Sequence, residues 1–98
     1  MKLLVKYDSN WADEMDIDGF KVLTNEQWEK YQQDFKKHFK EECYSYYVGT
    51  NEEIEYSDFD EFISDFKASE ITNEEAAVLE KLFDNLSTYG YGFFPELY

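Results

Sequence analysis

The sequence predicts one α+β domain, a small, mostly antiparallel sheet with two to three helices packed on it. Three observations carry this reading. Apolar residues alternate in some stretches and recur every three to four residues in others, so strands and helices are mixed along the chain. Two Thr-Asn-Glu segments, at 24 and 72, precede the helical stretches as capping signals. The chain has 98 residues and no Pro/Ser-rich linker, which leaves room for one domain over 1–98.

Leu3, Val5 and Tyr7 alternate with Leu4 and Lys6, predicting a first strand that Asp8-Ser9-Asn10 breaks. Asp18-Gly19 is a turn signal with alternating residues on both sides, so 15–17 is expected to pair with 20–23 as a hairpin. Thr24 then reads as an N-cap with Gln27 as its reciprocal partner. Trp28, Tyr31, Phe35, His38 and Phe39 form one stripe of a helix running to about Glu42. The aromatic run 44–48 predicts a strand and Gly49-Thr50-Asn51 a turn. Ile54 and Tyr56 mark a returning strand. Ser57 is expected to cap a short helix whose inner side carries Phe59, Phe62, Ile63 and Phe66. Residues 67–71 read either as a short strand or as a connector. Thr72 and Glu75 repeat the capping box. Ala76, Leu79, Leu82, Phe83 and Leu86 mark a third helix. The segment 89–98 reads either as an exposed aromatic tail or as an edge strand that closes the core. The helices are expected to cover one face of the sheet.

Composition narrows the function. Nine Phe, nine Tyr and two Trp argue for a packed core rather than disorder. There are 23 acids against nine lysines and no arginine, for a net charge of −14. Residues 1–40 carry −1 and residues 41–98 carry −13. Nucleic acid and anionic membranes need a basic face and are therefore not expected as direct partners. A basic protein would be attracted and steered in. A single cysteine, Cys43, fits a reducing compartment. The N-terminal apolar run is too short for a signal peptide, and no stretch approaches about 20 apolar residues. The expected location is cytoplasmic, as a monomer or homodimer.

Catalytic and metal chemistry finds little material. Counted from Glu14, the positions of a calcium loop hold Asp16, Asp18 and Gly19, but the twelfth position is Asn25 where a bidentate Glu is needed. His38 is the single histidine and sits on the apolar stripe of the first helix. Cys43 lies five residues away, off the same-face spacing. One His and one Cys do not make a zinc site, and no Gly-rich phosphate loop is present. With 23 acids, close carboxylate pairs arise by chance and signal nothing. No catalytic residue, metal or cofactor is expected, and the chain is not expected to be an enzyme.

The acidic half reads as a binding surface. Glu61 and Asp65 are four apart, Asp58 and Glu61 three apart, and Glu80 and Asp84 four apart. At helical spacing such pairs stand about 5–6 Å apart at Cβ. Phosphates follow one another about every 3.4 Å along a DNA strand, so rows of carboxylates can imitate them. The expected contact residues are Glu52, Glu53, Glu55, Asp58, Asp60, Glu61, Asp65, Glu74, Glu75, Glu80 and Asp84, with Tyr89 and Tyr91 as aromatic anchors.

The size, the α+β pattern, the absence of arginine, the initial Met and the acidic clusters at 52–55, 58–65 and 74–80 give the chain a class resemblance. So does the segment Asn10-Trp11-Ala12-Asp13-Glu14-Met15-Asp16. The chain resembles the small acidic proteins that bacteriophages and mobile elements encode against host defence, including anti-restriction and anti-CRISPR inhibitors, several of them DNA mimics. The resemblance implies inhibition of a basic, nucleic-acid-handling host protein. Lys30, Lys36, Lys37 and Lys40 depart from the pattern and would confine mimicry to the C-terminal portion. Two other readings stand beside it, an immunity protein that neutralises a nuclease toxin and a viral structural or adaptor protein.

Overall fold

The computed structural model describes residues 2–11, 15–42, 45–48, 52–55 and 59–96, with side chains over 2–8, 18–39 and 59–96. The elements are β1 (Lys2–Trp11), β2 (Met15–Thr24), α1 (Asn25–Glu42), β3 (Ser45–Val48), β4 (Glu52–Glu55), α2 (Phe59–Ser64), β5 (Phe66–Ile71), α3 (Asn73–Leu82) and β6 (Tyr91–Gly92). Four strands form an antiparallel sheet in the order β5-β1-β2-β6. β3 and β4 pair as a separate two-stranded ladder. The chain is thus an α+β fold. The turn expected at 49–51 and the cap expected at Ser57 lie outside the described residues.

β1 and β2 depart from the sequence reading in an informative way. β1 runs on through Asp8-Ser9-Asn10 instead of breaking there, and β2 runs through Asp18-Gly19 instead of turning. The two strands pair along their whole length, from Lys2 opposite Thr24 to Trp11 opposite Met15. This register puts Leu3 across from Leu23 and Leu4 across from Val22, so both faces of the hairpin gain apolar cross-strand pairs. A turn at Gly19 would have left β1 without that partner. The glycine has another cause. A Cβ built on Gly19 would lie 2.4 Å from the Phe93 carbonyl oxygen, so the residue marks a close crossing of two backbones.

Consecutive apolar residues on β1 and β2 give the sheet two apolar faces, and both are covered. On one face Leu3, Val5, Tyr7 and Leu23 meet Phe35 and Phe39 of α1, Phe62 of α2 and Phe94 of the C-terminal segment. On the other, Val22 meets Ala76 of α3 and Leu86, with Leu4, Phe20, Ile71, Leu79 and Phe83 packed around them. The helices therefore do not share one face as expected. The reason lies in Leu3-Leu4 and Val22-Leu23, since a strand with neighbouring apolar residues cannot leave either side to water at no cost. Each such side chain, fully buried, contributes about 1.5–3 kcal/mol.

Both capping boxes form. Gln27 N donates to Thr24 Oγ1 at 3.1 Å, and Thr24 N donates to Gln27 Oε1 at 2.9 Å. Glu75 N donates to Thr72 Oγ1 and Thr72 N to Glu75 Oε1, each at 3.0 Å. Thr72→Ala removes one acceptor at an N-terminus that carries two glutamates, and it is expected to cost about 1 kcal/mol. A urea midpoint that does not move would show that this box contributes nothing to the folded state.

α3 is shorter than its apolar periodicity suggested. It ends at Leu82, with Phe83 as C-cap, and the chain reverses through Asn85 at φ 63° before Leu86 returns to the core. Leu82, expected on the inner stripe, is 69% exposed. At about 100° per residue it stands roughly a quarter-turn off the face shared by Ala76, Leu79 and Phe83. Residues 67–71 are a strand on the sheet edge rather than a connector. The C-terminal segment closes the core. Phe94 and Pro95 are buried, and Tyr31 Oη donates to the Pro95 carbonyl at 2.6 Å.

Candidate interaction surface

The acids singled out by sequence divide between the two sides of the sheet. Phe62 anchors α2 in the α1-side core, which leaves Asp60 and Glu61 exposed there. Asp65 follows half-buried, its carbonyl accepting the Asp8 N–H at 3.0 Å. Ala76 anchors α3 on the opposite side, with Glu74 and Glu75 exposed in its first turn. Helix α2 and helix α3 therefore do not lay their carboxylates in one row. Glu80 is half-buried and bridged by Lys2 at 3.3 Å, and Asp84 is exposed just past the helix. Glu52, Glu53 and Glu55 lie on β4 with side chains outside the described set, and Asp58 lies outside the described residues.

Lysines do little to offset this charge. Lys30 pairs with Asp34 at 2.8 Å on α1, within the less acidic N-terminal portion. Among the described residues no lysine pairs with Glu70, Glu74, Glu75 or Asp84. Asp8 and Asp18 stand directly opposite each other on β1 and β2, both exposed, an arrangement of like charges that destabilises a ladder. Sequence reasoning missed this pair because it turned the chain at Asp18. Matching Leu3 with Leu23 would have revealed it.

Two concavities are found among the described residues. One, of about 730 Å³, is lined by Lys6, Tyr7, Asp8, Asp18, Gly19, Phe20, Tyr91, Gly92 and Phe93. Phe83 braces its aromatic wall, meeting Phe20 edge-on at 5.4 Å, and within the wall Phe20 lies tilted against Tyr91 at 5.2 Å. The other, of about 440 Å³, is lined by Leu4, Ile71, Thr72, Glu74, Glu75, Val78 and Leu79. Large side chains are also exposed. Tyr89 is 70%, Tyr91 54% and Val78 58% exposed. Val78 and Leu82 escaped the sequence reading of the surface. Their signal was available, because neither falls on the helical face of Ala76 and Leu79.

Among the described residues no three His, Cys, Asp or Glu side chains converge as metal ligands. His38 is half-buried with its ring edge-on to Phe35 and Phe39. No described helix is long and apolar enough to cross a membrane. The chain was compared with protein-family models, with curated proteins and with solved structures, and none matches.

Proposed function

We propose that the chain is an inhibitory binding protein that blocks the nucleic-acid-binding surface of a basic host defence protein, a CRISPR effector or a restriction enzyme, by offering carboxylates where nucleic acid offers phosphates. The observation that carries the reading is the net charge of −13 over residues 41–98 on a folded scaffold, with Glu70, Glu74, Glu75 and Asp84 exposed and unmatched by lysine among the described residues. The exposed acids cost the fold self-repulsion, which a basic partner would relieve.

The test is retention of proteins from host lysate on the immobilised chain, washed at low and then high salt. Raising ionic strength from about 0.1 M to about 1 M shortens the screening length from roughly 10 Å to roughly 3 Å. A basic nucleic-acid-handling protein that leaves in the high-salt wash is the expected result. Changing Glu52, Glu53, Asp58, Glu61 and Asp65 to Gln or Asn should weaken its retention about tenfold or more, since about 1.4 kcal/mol in total suffices. Retention at full strength after that change would sink the mimicry.

The exposure of Tyr89 and Tyr91 favours one second reading, an immunity protein that neutralises a nuclease toxin through aromatic anchors. It predicts that Tyr89→Ala and Tyr91→Ala weaken binding at least as much as the charge changes do.

A further inference from the structure

We infer that the groove between α3 and the β5 edge of the sheet docks a partner segment that presents an aliphatic side chain flanked by lysines or arginines. The inference rests on the proposed reading that the partner is basic, and it places one contact of that partner.

The groove is apolar at its base and acidic at its rim. Leu4, Ile71 and Leu79 are half-buried, packed against the buried cluster of Val22, Ala76 and Leu86 rather than inside it. Val78 forms an exposed wall, and Leu82 continues the same apolar stripe one turn further along the helix. A single exposed apolar residue needs no explanation, but two on one stripe beside an open apolar groove are a contiguous patch. Among the described residues the groove's charged lining is Glu74 and Glu75. Glu75 is held in place by its bond from Thr72 N, so its carboxylate is oriented before any partner arrives. Neither glutamate has a lysine partner among the described residues, and Lys81, the lysine of α3, does not line the groove.

This lining selects its occupant by charge. An acidic or neutral segment would leave the rim carboxylates facing like charge or nothing, whereas lysine or arginine flanks would pair with them. Full burial of one aliphatic side chain is worth about ten- to hundredfold in affinity. Salt does not screen that part, so the groove supplies a salt-resistant component that carboxylates alone lack.

The test titrates the isotopically labelled chain with three synthetic peptides of equal length and follows amide shifts by NMR. One peptide carries a central leucine between lysines, one has serine in place of the leucine, and one has glutamates in place of the lysines. The leucine–lysine peptide is expected to move the amides of Leu4, Ile71, Glu74, Val78 and Leu79. The serine peptide should bind about tenfold more weakly, and the glutamate peptide should not bind. Val78→Asp should weaken the first peptide about tenfold while leaving the rest of the spectrum in place, and Glu74→Gln with Glu75→Gln should weaken it while preserving the capping box. Equal binding of the leucine and serine peptides overturns the inference, as does equal binding of the glutamate peptide. Shifts at Val78 and Leu82 that depend on protein concentration before any peptide is added overturn it in favour of a second copy of the chain. If the lysine peptides bind only at another acidic surface, the groove is refuted and the basic-partner reading stands. If neither binds anywhere, both fall.

Discussion

Replacing Phe62 by alanine is expected to destabilise the protein by about 3–5 kcal/mol, the usual cost of emptying a buried aromatic site. Phe62 is fully buried. Its ring stacks on Phe35 at 4.6 Å, tilts against Phe39 at 5.3 Å and meets Phe66 edge-on at 4.9 Å. It therefore joins α1, α2 and β5 at one point. α2 has six residues, far short of the roughly 12–15 at which a helix begins to hold in water by itself, and Phe62 is its buried side chain. Without that ring the helix is held to the core mainly by the half-buried Phe59, and Asp60 and Glu61 are less firmly placed. A domain at the low end of ordinary stability, about 5 kcal/mol, would be left near its unfolding limit. Urea unfolding measures the loss, and amide exchange in α2 should rise toward the unfolded rate. A loss below about 1 kcal/mol would mean that α2 is not docked as described.

Gly19→Ala is expected to lower stability by about 1–3 kcal/mol, an overpacking cost in the middle of a strand where alanine is otherwise tolerated. The added Cβ would sit 2.4 Å from the Phe93 oxygen and 2.7 Å from its N and C atoms. All three are backbone atoms, so no side-chain rotation can relieve the contact. Gly19 is not among the positive-φ glycines, which are Gly90 and Gly92, so the effect would come from contact and not from backbone strain. The segment that must move includes the Phe93 N–H, which donates to the Asp18 carbonyl at 3.0 Å, and the buried Phe94. The expected readouts are a Tm lower by about 4–8 °C for each kcal/mol and fast exchange of the Phe93 amide. An unchanged Tm would show that the two backbones do not cross as closely as described.

Much of the local structure was legible in the chain because its causes are local. Thr24 with Gln27 and Thr72 with Glu75 announce helix starts through hydrogen bonds that span three residues. Phe35 and Phe39 on α1, and Ala76 and Leu79 on α3, follow from helical spacing. Asp18-Gly19 misled because the same dipeptide serves a turn or a strand with a crowded neighbour, and that neighbour, Phe93, is 74 residues away in sequence. The surface was less legible than the core. Rows of carboxylates at helical spacing are visible in sequence, but whether two helices present them together depends on which side of the sheet each helix takes.

Residue type and short spacing suffice for the class of fold, the starts of α1 and α3, the aromatic core and the acidic balance of residues 41–98. Contacts between distant segments account for the rest. The long β1–β2 register, with apolar residues on both faces, required cover on both sides and sent α2 and α3 to opposite faces of the sheet. That division splits the acids into separate surfaces. It also leaves Val78 and the rim of Glu74 and Glu75 open beside Leu4 and Ile71, a juxtaposition of α3, β1 and β5 that no local pattern encodes. Local hydrogen bonds and periodicity act over one or two helical turns, whereas burial acts between residues that only the folded chain brings together.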